Sequence, residues 1–389
     1  MPDKKWLSIH FVAGERIANE IWQPVIAEAE FRGHKVSVDS NPNVRADIGF
    51  YCDDLSLPGP QKLTVISRNG LDQGHQNWHT PDIFFAQENW GLFDIGLLPG
   101  PYYAEMFSKA EPNSTSLPAM GAGVTGWPKA DRLKSRAGLA LEDVGESAVV
   151  LYAPNIECDG KQRDLIRALD GLGVKLLIKH WETPEEAHVY PSLLTNDYLS
   201  NLDAENEFAD KFDWVEILPP ESHIFDALEV SSILVSDRSS VLIEALAADV
   251  IPISVDNWRH NCPGKCEPPE YVAMRSTSDS LRKDIEALLK DFDWYMVRTV
   301  ELKNLFFSHL GSSAKATLDF AESAYQFKVR SSFSGDAQRN HHHLRKEVAD
   351  LKSQNKILKL ELKYLWSTAN ICRPFRKFGR FIKDAFFQI

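Results

Sequence analysis

Two serines and a glutamate lie where the sequence predicts the start of a helix. They belong to residues 231–254, SSILVSDRSSVLIEALAADVIPIS, whose pattern indicates a strand, a polar turn, a helix and a second strand. Ser239 and Ser240 precede the helix, where unpaired backbone N–H groups and the positive end of the helix dipole favour an anion such as phosphate. Glu244 follows one turn later and could accept a hydrogen bond from a sugar hydroxyl. The alternative is an ordinary N-cap, in which the serines bond only to their own helix.

Polar groups also end two other strands that are predicted in the same half of the chain. Lys179 and His180 follow the run VKLLI, and Pro154 and Asn155 follow VVLY. Parallel strands of one sheet end at a shared edge, so Lys179 and His180 should lie beside the turn at Ser239 and form an anion site with it. The alternative is a structural role for His180, which is the commoner fate of a lone histidine.

A polar loop in the first half of the chain offers acid–base chemistry. The segment RNGLDQGHQNWHT, residues 68–80, follows a predicted buried strand. It carries two imidazoles, His75 and His79, and Asp72 could orient one of them. The alternative is an ordinary solvated loop, which is polar in any case.

The elements that must position these groups alternate along the chain. Short apolar runs separated by helical patterns predict α/β domains with parallel sheets covered on both faces, and such sheets bind ligands at the carboxyl ends of their strands. A chain of 389 residues exceeds the roughly 250–300 residues that one core usually holds. A charged stretch after GWPKADRL indicates a linker, so we predict a first domain at residues 1–135 and a second at residues 146–330.

Composition limits the possible classes of protein. The five cysteines are scattered and odd in number, which favours a reduced, cytoplasmic setting, and no run of about 18 apolar residues exists to span a membrane. A net charge of −12 argues against general nucleic-acid binding. Asp237 could give one ligand to Mg²⁺, but no carboxylates cluster near it in sequence, and His260, Cys262 and Cys266 lack a second ligand pair. We therefore predict no metal and no cofactor.

Four motifs in order, GWPKAD, LYAPN, IKH and SDRSSVLIEAL, make the chain resemble the CDP-glycerol glycerophosphotransferase family, which builds teichoic acids and related phosphopolymers. The resemblance covers roughly residues 63–311 and the helix after them, with CPGKCEPPE as a version of the family's Pro-Gly loop and LGSSAKATLDF as its terminal helix. It implies two doubly wound Rossmann-like domains of the glycosyltransferase-B type, with the active site in the cleft between them.

The resemblance also implies roles for the candidate residues. The second domain would hold a CDP-linked alditol, with His180, Ser239 and Ser240 at its pyrophosphate and Glu244 near its ribose. A histidine of the first domain would activate the hydroxyl of a glycan or lipid-linked acceptor. Attack at the β-phosphorus would then transfer glycerol phosphate, or a similar alditol phosphate, and release CMP.

Two departures from the family pattern affect these roles. The family has a His-Gly pair after its first-domain strand, and this chain has Asn69–Gly70 there, so we expect the base at His75 or His79 and favour His75 as the nearer. The family's Thr, Trp and Arg after Ala-Pro are replaced by Asn155, Ile156 and Glu157, which removes a basic contact to phosphate. A nucleotide-sugar glycosyltransferase or epimerase, and a catalytically silent scaffold, are the alternatives.

The last part of the chain predicts self-association and membrane contact. Positions four and three residues apart form a heptad repeat within residues 338–367: Leu344, Val348, Leu351, Asn355, Leu358, Leu362 and Leu365. A buried asparagine favours a parallel dimer, so we predict a parallel homodimeric coiled coil; the alternative is a helix packed on the globular core. Residues 371–389, which include RPFRKFGRFIKDAFFQI, predict a basic amphipathic helix that lies on the anionic inner face of a membrane, so that the protein is peripheral. The alternative is a helix that packs its phenylalanines on the protein body.

Overall fold

The computed structural model describes residues 6–13, 16–52, 57–68, 70–71, 89–109, 117–133, 148–154, 161–180, 196–237, 239–258 and 270–330. Within these ranges the chain forms two six-stranded sheets, and every strand pair is parallel. The alternating architecture predicted from the apolar runs is confirmed.

The first sheet has the strand order β2-β1-β3-β4-β5-β6. Its strands are β1 (Ser8–Val12), β2 (Lys35–Asp39), β3 (Ile48–Tyr51), β4 (Leu63–Ile66), β5 (Ile95–Leu98) and β6 (Ala122–Val124). All residues of β3, β4 and β5 are buried, as expected for strands covered on both faces. Helix α1 (Arg16–Phe31) packs its Trp22 ring 6.0 Å from that of Phe11 and 5.3 Å from that of Phe50.

The second sheet has the strand order β12-β11-β10-β7-β8-β9. Its strands are β7 (Val149–Tyr152), β8 (Lys175–Ile178), β9 (Val215–Ile217), β10 (Ile233–Ser236), β11 (Ile251–Val255) and β12 (Met274–Ser276). The helices are α2 (Pro101–Lys109) beside the first sheet, then α3 (Lys161–Leu169), α4 (Asn196–Ala209), α5 (Ile224–Glu229), α6 (Val241–Ala247), α7 (Leu281–Lys290), α8 (Phe292–Phe306) and α9 (Ser313–Arg330). Because β7 lies between β8 and β10, the carboxyl ends of these three strands are adjacent, which brings three of the predicted site segments to one edge.

Helix α9 follows the second sheet in sequence but packs on the first sheet, in what we name the α9 junction. At the start of the helix, the two carboxylate oxygens of Asp131 accept from the backbone N–H groups of Ser313 and Ala314, at 2.9 and 2.7 Å. Further along, three contacts hold the helix: Arg32 to Glu322, Tyr325 to Asp47 and Lys328 to Asp94, at 2.9, 2.8 and 2.6 Å. The boundary predicted at residue 330 groups this helix with the second domain, whereas its contacts are with the first sheet.

Strand β6 shows why a glycine is needed at this junction. A Cβ atom at Gly123 would lie 2.7 Å from the ring of Phe320, so glycine lets this ring pack directly against the strand, and any other residue would require the ring to shift.

None of the helices that the structure describes combines the length and the apolarity needed to cross a bilayer. The predicted coiled coil at residues 338–367 and the predicted basic helix at residues 371–389 lie outside the described residues.

Candidate functional site

The predicted donor-binding residues of the second sheet lie at its carboxyl edge. Lys179 and His180 follow β8, Pro154 follows the end of β7, and Asp237 follows β10. The hydroxyl of Ser236 donates to the carbonyl of Ala153 at 2.6 Å, which joins the ends of β10 and β7. The structure therefore brings these segments to one edge of the sheet, as their positions after parallel strands predict.

His180 is buried and uncharged at neutral pH. Burial, helped by the charge of Lys179, lowers the pKa of His180 to about 4. Its Nε2 lies 3.0 Å from Oε1 of Gln162, and Gln162 uses its own Nε2 to donate to the carbonyl of Glu205. The amide orientation makes Oε1 the acceptor, so Nε2 of His180 carries the proton in the neutral ring. A phosphate beside His180 would have to raise the pKa of the imidazole before the ring could act as a cation.

Lys179 donates hydrogen bonds to backbone carbonyls of the protein. Its ammonium donates to the carbonyls of His180 and Pro220, at 2.7 and 2.6 Å, and the side chain is buried. These bonds tie the end of β8 to the loop after β9. They indicate a role in positioning the predicted site rather than a first contact with a ligand.

The start of α6 involves the backbone of Ser239 and the N-cap residue Ser240. The backbone N–H of buried Ser239 donates to the carbonyl of Asp237 at 2.8 Å. Ser240 occupies the N-cap position, but its side chain makes no cap hydrogen bond. The alternative in which both hydroxyls serve only their own helix therefore does not hold for Ser240.

A cluster of four charged or titratable residues lies beside this edge; it joins Glu244, a predicted donor contact, to three residues that the sequence did not single out. We name it the Lys129 cluster; its members are Glu20, Lys129, His223 and Glu244. Nζ of Lys129 lies 3.1 Å from Oε1 of Glu244 and 3.4 Å from Oε2 of Glu20. Nε2 of His223 lies 3.3 Å from the same Oε2 of Glu20. Since Glu20 belongs to α1 and Glu244 to α6, the cluster joins helices of the two sheets.

Charge balance explains how Lys129 can be buried there. Burial, the largest influence, acts to lower the pKa of Lys129, but the charges of Glu244 and Glu20 hold the pKa above its ordinary value. The ammonium also lies 5.5 Å from the centre of the Phe225 ring, a cation–π distance. Nδ1 of His223 accepts from the backbone N–H of Phe225 at 3.1 Å and so caps α5, which leaves the ring proton on Nε2, toward Glu20.

The motif GWPKAD forms the turn and the short helix that place Lys129 in the cluster. Gly126 has φ = +90°, and a Cβ atom there would lie 2.4 Å from the carbonyl oxygen of Ser308, so the turn requires glycine. The 3₁₀ helix Pro128–Arg132 follows and directs two residues to different tasks. Lys129 joins the cluster, while Asp131 caps α9. The motif therefore links the candidate site to the α9 junction.

A cavity of about 490 Å³ adjoins the cluster. Its lining residues come from α1, from the 3₁₀ helix and from the start of α5: Asn19, Glu20, Gln23, Pro24, Lys129, Arg132 and His223. Cavities of this size are typical of small-molecule sites. The GWPKAD motif was the one sequence signal near this cavity, whereas Glu20 and His223 carry no motif of their own.

The predicted catalytic residues Asn69, Asp72, His75 and His79, and the predicted donor contact Asn155, lie outside the described residues. The same holds for His260, Cys262 and Cys266. Within the described ranges, no group of three or more His, Cys, Asp or Glu side chains is arranged to hold a metal ion.

Comparisons with known proteins identify a fold. No family model matches the sequence, and no curated protein matches it. A variant of the wall teichoic acid polymerase TagF matches with a TM-score of 0.51 at 14% identity, covering 84% of this chain and 90% of that chain. A protein described as a UDP-N-acetylglucosamine 2-epimerase from Listeria monocytogenes matches with a TM-score of 0.54 at 12% identity, covering 83% and 97%. Staphylococcus aureus MnaA, solved with UDP, matches with a TM-score of 0.51 at 12% identity, covering 82% of this chain and 97% of that chain.

These similarities show that the two parallel-sheet domains have the glycosyltransferase-B-like fold. At such low identity they carry no more than the fold, since one fold hosts many activities.

Proposed function

We propose that this chain is a transferase that moves glycerol phosphate, or a similar alditol phosphate, from a CDP-linked donor to a glycan or lipid-linked acceptor in cell-surface polysaccharide synthesis. The observation that carries the proposal is the position of Glu244. Its carboxylate lies in the first turn of α6, at the carboxyl edge of the second sheet, beside a cavity and a buried lysine from the first half of the chain. That is where a sheet of this type binds a nucleotide, and a carboxylate there suits the hydroxyls of a ribose.

Two further observations support a CDP-linked donor. The motifs GWPKAD, LYAPN, IKH and SDRSSVLIEAL occur in the order of the glycerophosphotransferase family. One solved structure with the same fold, at a TM-score of 0.51, is a TagF variant soaked with CDP-glycerol.

In the proposed complex, Ser239, Ser240 and His180 contact the pyrophosphate of the donor. Pro154 and Asn155 form the turn beside it, and Lys179 holds the strand end. Asp237 stands at the base of the same turn. His180 gains a proton as the pyrophosphate binds, because a nearby anion favours the charged imidazole.

The chemical step needs a base on the acceptor side. The acceptor hydroxyl loses its proton to that base as its oxygen bonds to the β-phosphorus, and the bond from that phosphorus to the CMP oxygen breaks. We propose His75, with His79 as the second candidate, as this base; Asp72 orients the imidazole, and Asn69 occupies the family's histidine position. No cofactor takes part in the proposed reaction.

A direct binding comparison tests the donor class. The full chain is titrated with CDP-glycerol and with UDP-N-acetylglucosamine by calorimetry, together with Glu244→Gln and the control Glu30→Gln, which changes an exposed residue of α1. We expect CDP-glycerol to bind the unmodified chain at least about tenfold more tightly, and Glu244→Gln to weaken its binding by a similar factor, the effect of one charge-assisted hydrogen bond. Equal or tighter binding of the UDP-sugar would contradict the proposal.

A nucleotide-sugar epimerase or glycosyltransferase is the second candidate. It is favoured by the epimerase match, whose TM-score of 0.54 slightly exceeds that of the TagF variant. Preferential binding of the UDP-sugar, with release of UDP or formation of an epimer, would establish it. A chain that binds neither donor would be a silent scaffold.

We also propose that residues 338–367 form a parallel homodimeric coiled coil and that residues 371–389 attach the cytoplasmic dimer to the anionic inner face of a membrane. Deleting residues 373–389 should release the protein from sedimenting anionic vesicles. Asn355→Leu should allow higher oligomers by light scattering, because the buried amide no longer restricts the strand number. A monomer at micromolar concentration, with and without vesicles, would contradict the dimer.

A further inference from the structure

Helix α8 has one face that packs on the protein and one that is exposed. Its buried residues Phe292, Thr299 and Phe306 share the inner face, and the helix packs on α2, α6 and α7. Trp294 and Val297 lie on the opposite face and are 64% and 62% exposed. Tryptophan is largely buried in most folded proteins, so this outer face is a candidate contact surface.

A stripe of four residues follows the outer face of α8. Their spacing is four, three and four residues, which keeps them in line along a helix and is also the spacing of a coiled-coil seam. The stripe consists of Trp294, Arg298, Glu301 and Leu305. Arg298 and Glu301 are exposed, and Leu305 is partly buried. Among the residues that the structure describes, neither Arg298 nor Glu301 has an ion-pair partner, so both charges can take one from another molecule.

The stripe is complementary to itself when a second copy runs in the opposite direction. Its middle lies between residues 299 and 300, and Arg298 precedes that point by as much as Glu301 follows it. A two-fold axis there sets Arg298 of one protomer opposite Glu301 of its partner, and does so twice. The same axis sets Trp294 opposite Leu305 at each end of the contact. Unlike charges therefore meet in the centre, and apolar side chains meet at both ends.

The charges also determine the direction of the pairing. In a parallel pair, each residue of the stripe would lie opposite its own copy, so Arg298 would face Arg298 and Glu301 would face Glu301. Like charges placed against each other destabilise a contact. A two-fold arrangement is the commonest symmetry of homodimers, and it needs only one surface of the chain, which pairs with itself.

We infer that the outer face of α8 is a dimer contact, at which a second copy of this chain packs its own α8 antiparallel. The contact is short, because the stripe spans about 17 Å of helix. Specific interfaces bury roughly 1,200–2,000 Å², so a contact of this length needs a second link between the copies. The proposed coiled coil at residues 338–367 supplies one by raising the effective concentration of the two α8 helices. The inference rests in this respect on the proposed dimer, and it does not depend on the proposed donor or acceptor.

Charge reversal in the full chain tests the contact. The dissociation constant of the dimer is measured by sedimentation equilibrium over the micromolar range at low ionic strength, where exposed charges are little screened. Arg298→Glu and Glu301→Arg each set like charges opposite one another at both pairs, and we expect each to raise the dissociation constant at least about tenfold. The double variant, which carries both changes, restores unlike pairs and should return the constant to within about threefold of the unmodified chain.

Two further variants complete the test. Arg45→Glu makes the same charge change at an exposed residue outside α8 and should leave the dimer unchanged, which controls for the added net charge. Trp294→Ala removes the apolar contact at both ends and should also raise the dissociation constant at least about tenfold. Because all these residues are exposed, the Tm of each variant should stay that of the unmodified chain.

The inference is overturned if the single charge reversals leave the dissociation constant unchanged, or if the double variant fails to restore it. Leu351→Pro, which breaks the helix that carries the heptads, separates this failure from failure of the coiled coil. Loss of the dimer in Leu351→Pro alone would mean that the coiled coil holds the two copies without α8. Loss in the charge reversals alone would support the α8 contact and contradict the coiled coil. A chain that is monomeric throughout would contradict both.

Discussion

The Lys129 cluster and the α9 junction both join distant parts of the chain through ion pairs, but they differ in what lies beside those pairs. At the α9 junction the charged contacts accompany a closely packed helix on the first sheet, with Phe320 against Gly123. At the Lys129 cluster the charged contacts border a cavity of about 490 Å³. The comparison shows that similar ion pairs occur in different surroundings: one set accompanies close packing, while the other borders a cavity that a ligand could enter.

The largest effect should come from the residue that begins the α9 junction. Asp131→Ala removes the acceptor for two backbone N–H groups at the start of α9, and we expect a loss of about 2–4 kcal/mol of stability, since unsatisfied buried donors cost about 1–3 kcal/mol each. Thermal unfolding measures it, and Asp131→Asn should recover part of the loss. An unchanged Tm would mean that the Asp131 cap contributes nothing to holding α9.

Acid should lower the stability of the folded chain through His180, at the carboxyl edge of the second sheet. The folded chain lowers the pKa of His180 from its ordinary 6.5 to about 4, so between these values the unfolded chain binds a proton that the folded chain does not. Stability therefore falls as the pH falls from about 6.5 toward 4, and His180→Asn should flatten that fall. The Tm of both proteins is measured across this range. Parallel acid profiles would show that His180 is not the titrating group.

Breaking the Lys129 cluster should lower both stability and ligand binding, because it leaves two largely buried carboxylates without their cation. Lys129→Met leaves Glu20 and Glu244 without their common cation, and we expect the Kd for CDP to rise about tenfold, or ~1.4 kcal/mol, because the carboxylate of Glu244 is no longer held. Lys129→Arg, which keeps the charge, should show a smaller change. A lower Tm with an unchanged Kd would make the cluster a structural joint like the α9 junction.

The smallest effects should separate a buried contact of the α9 junction from an exposed ion pair beside it. Lys328→Met breaks a largely buried pair with Asp94 and should cost about 1–2 kcal/mol. Lys62→Met breaks a pair with Asp47 in which the lysine side chain is 65% exposed, and should cost less than about 0.5 kcal/mol. Thermal unfolding of the two variants side by side gives the ranking. Equal losses would contradict the view that burial sets the value of these contacts.

The sequence predicts the sheets because β3, β4 and β10 are apolar runs, the pattern of strands buried on both faces. It also predicts the carboxyl edge, since Lys179, His180 and Asp237 directly follow strands. It could not predict the pairing of Lys129 with Glu244 across 115 residues, or the cap that Asp131 gives to Ser313 across 182 residues, because no local pattern encodes either contact.

The protonation state of His180 could not be predicted from the sequence either. A histidine after a strand indicates an anion site, but only the burial of His180 shows that its imidazole is neutral when no ligand is bound. The terminal helix gives a second example. LGSSAKATLDF predicts a helix, but the sequence does not predict that it packs on the first sheet, because that contact depends on Gly123 and Asp131, which precede the helix start at Ser313 by more than 180 residues.

The most direct test of the account is product analysis with the full chain, anionic vesicles carrying a glycan-linked lipid acceptor, and either CDP-glycerol or UDP-N-acetylglucosamine. We predict that CMP is released only when CDP-glycerol and the acceptor are both present, with one phosphodiester formed for each CMP, and that Glu244→Gln suppresses the release. Release of UDP or epimerisation of the UDP-sugar, without CMP from CDP-glycerol, would contradict the proposed transfer.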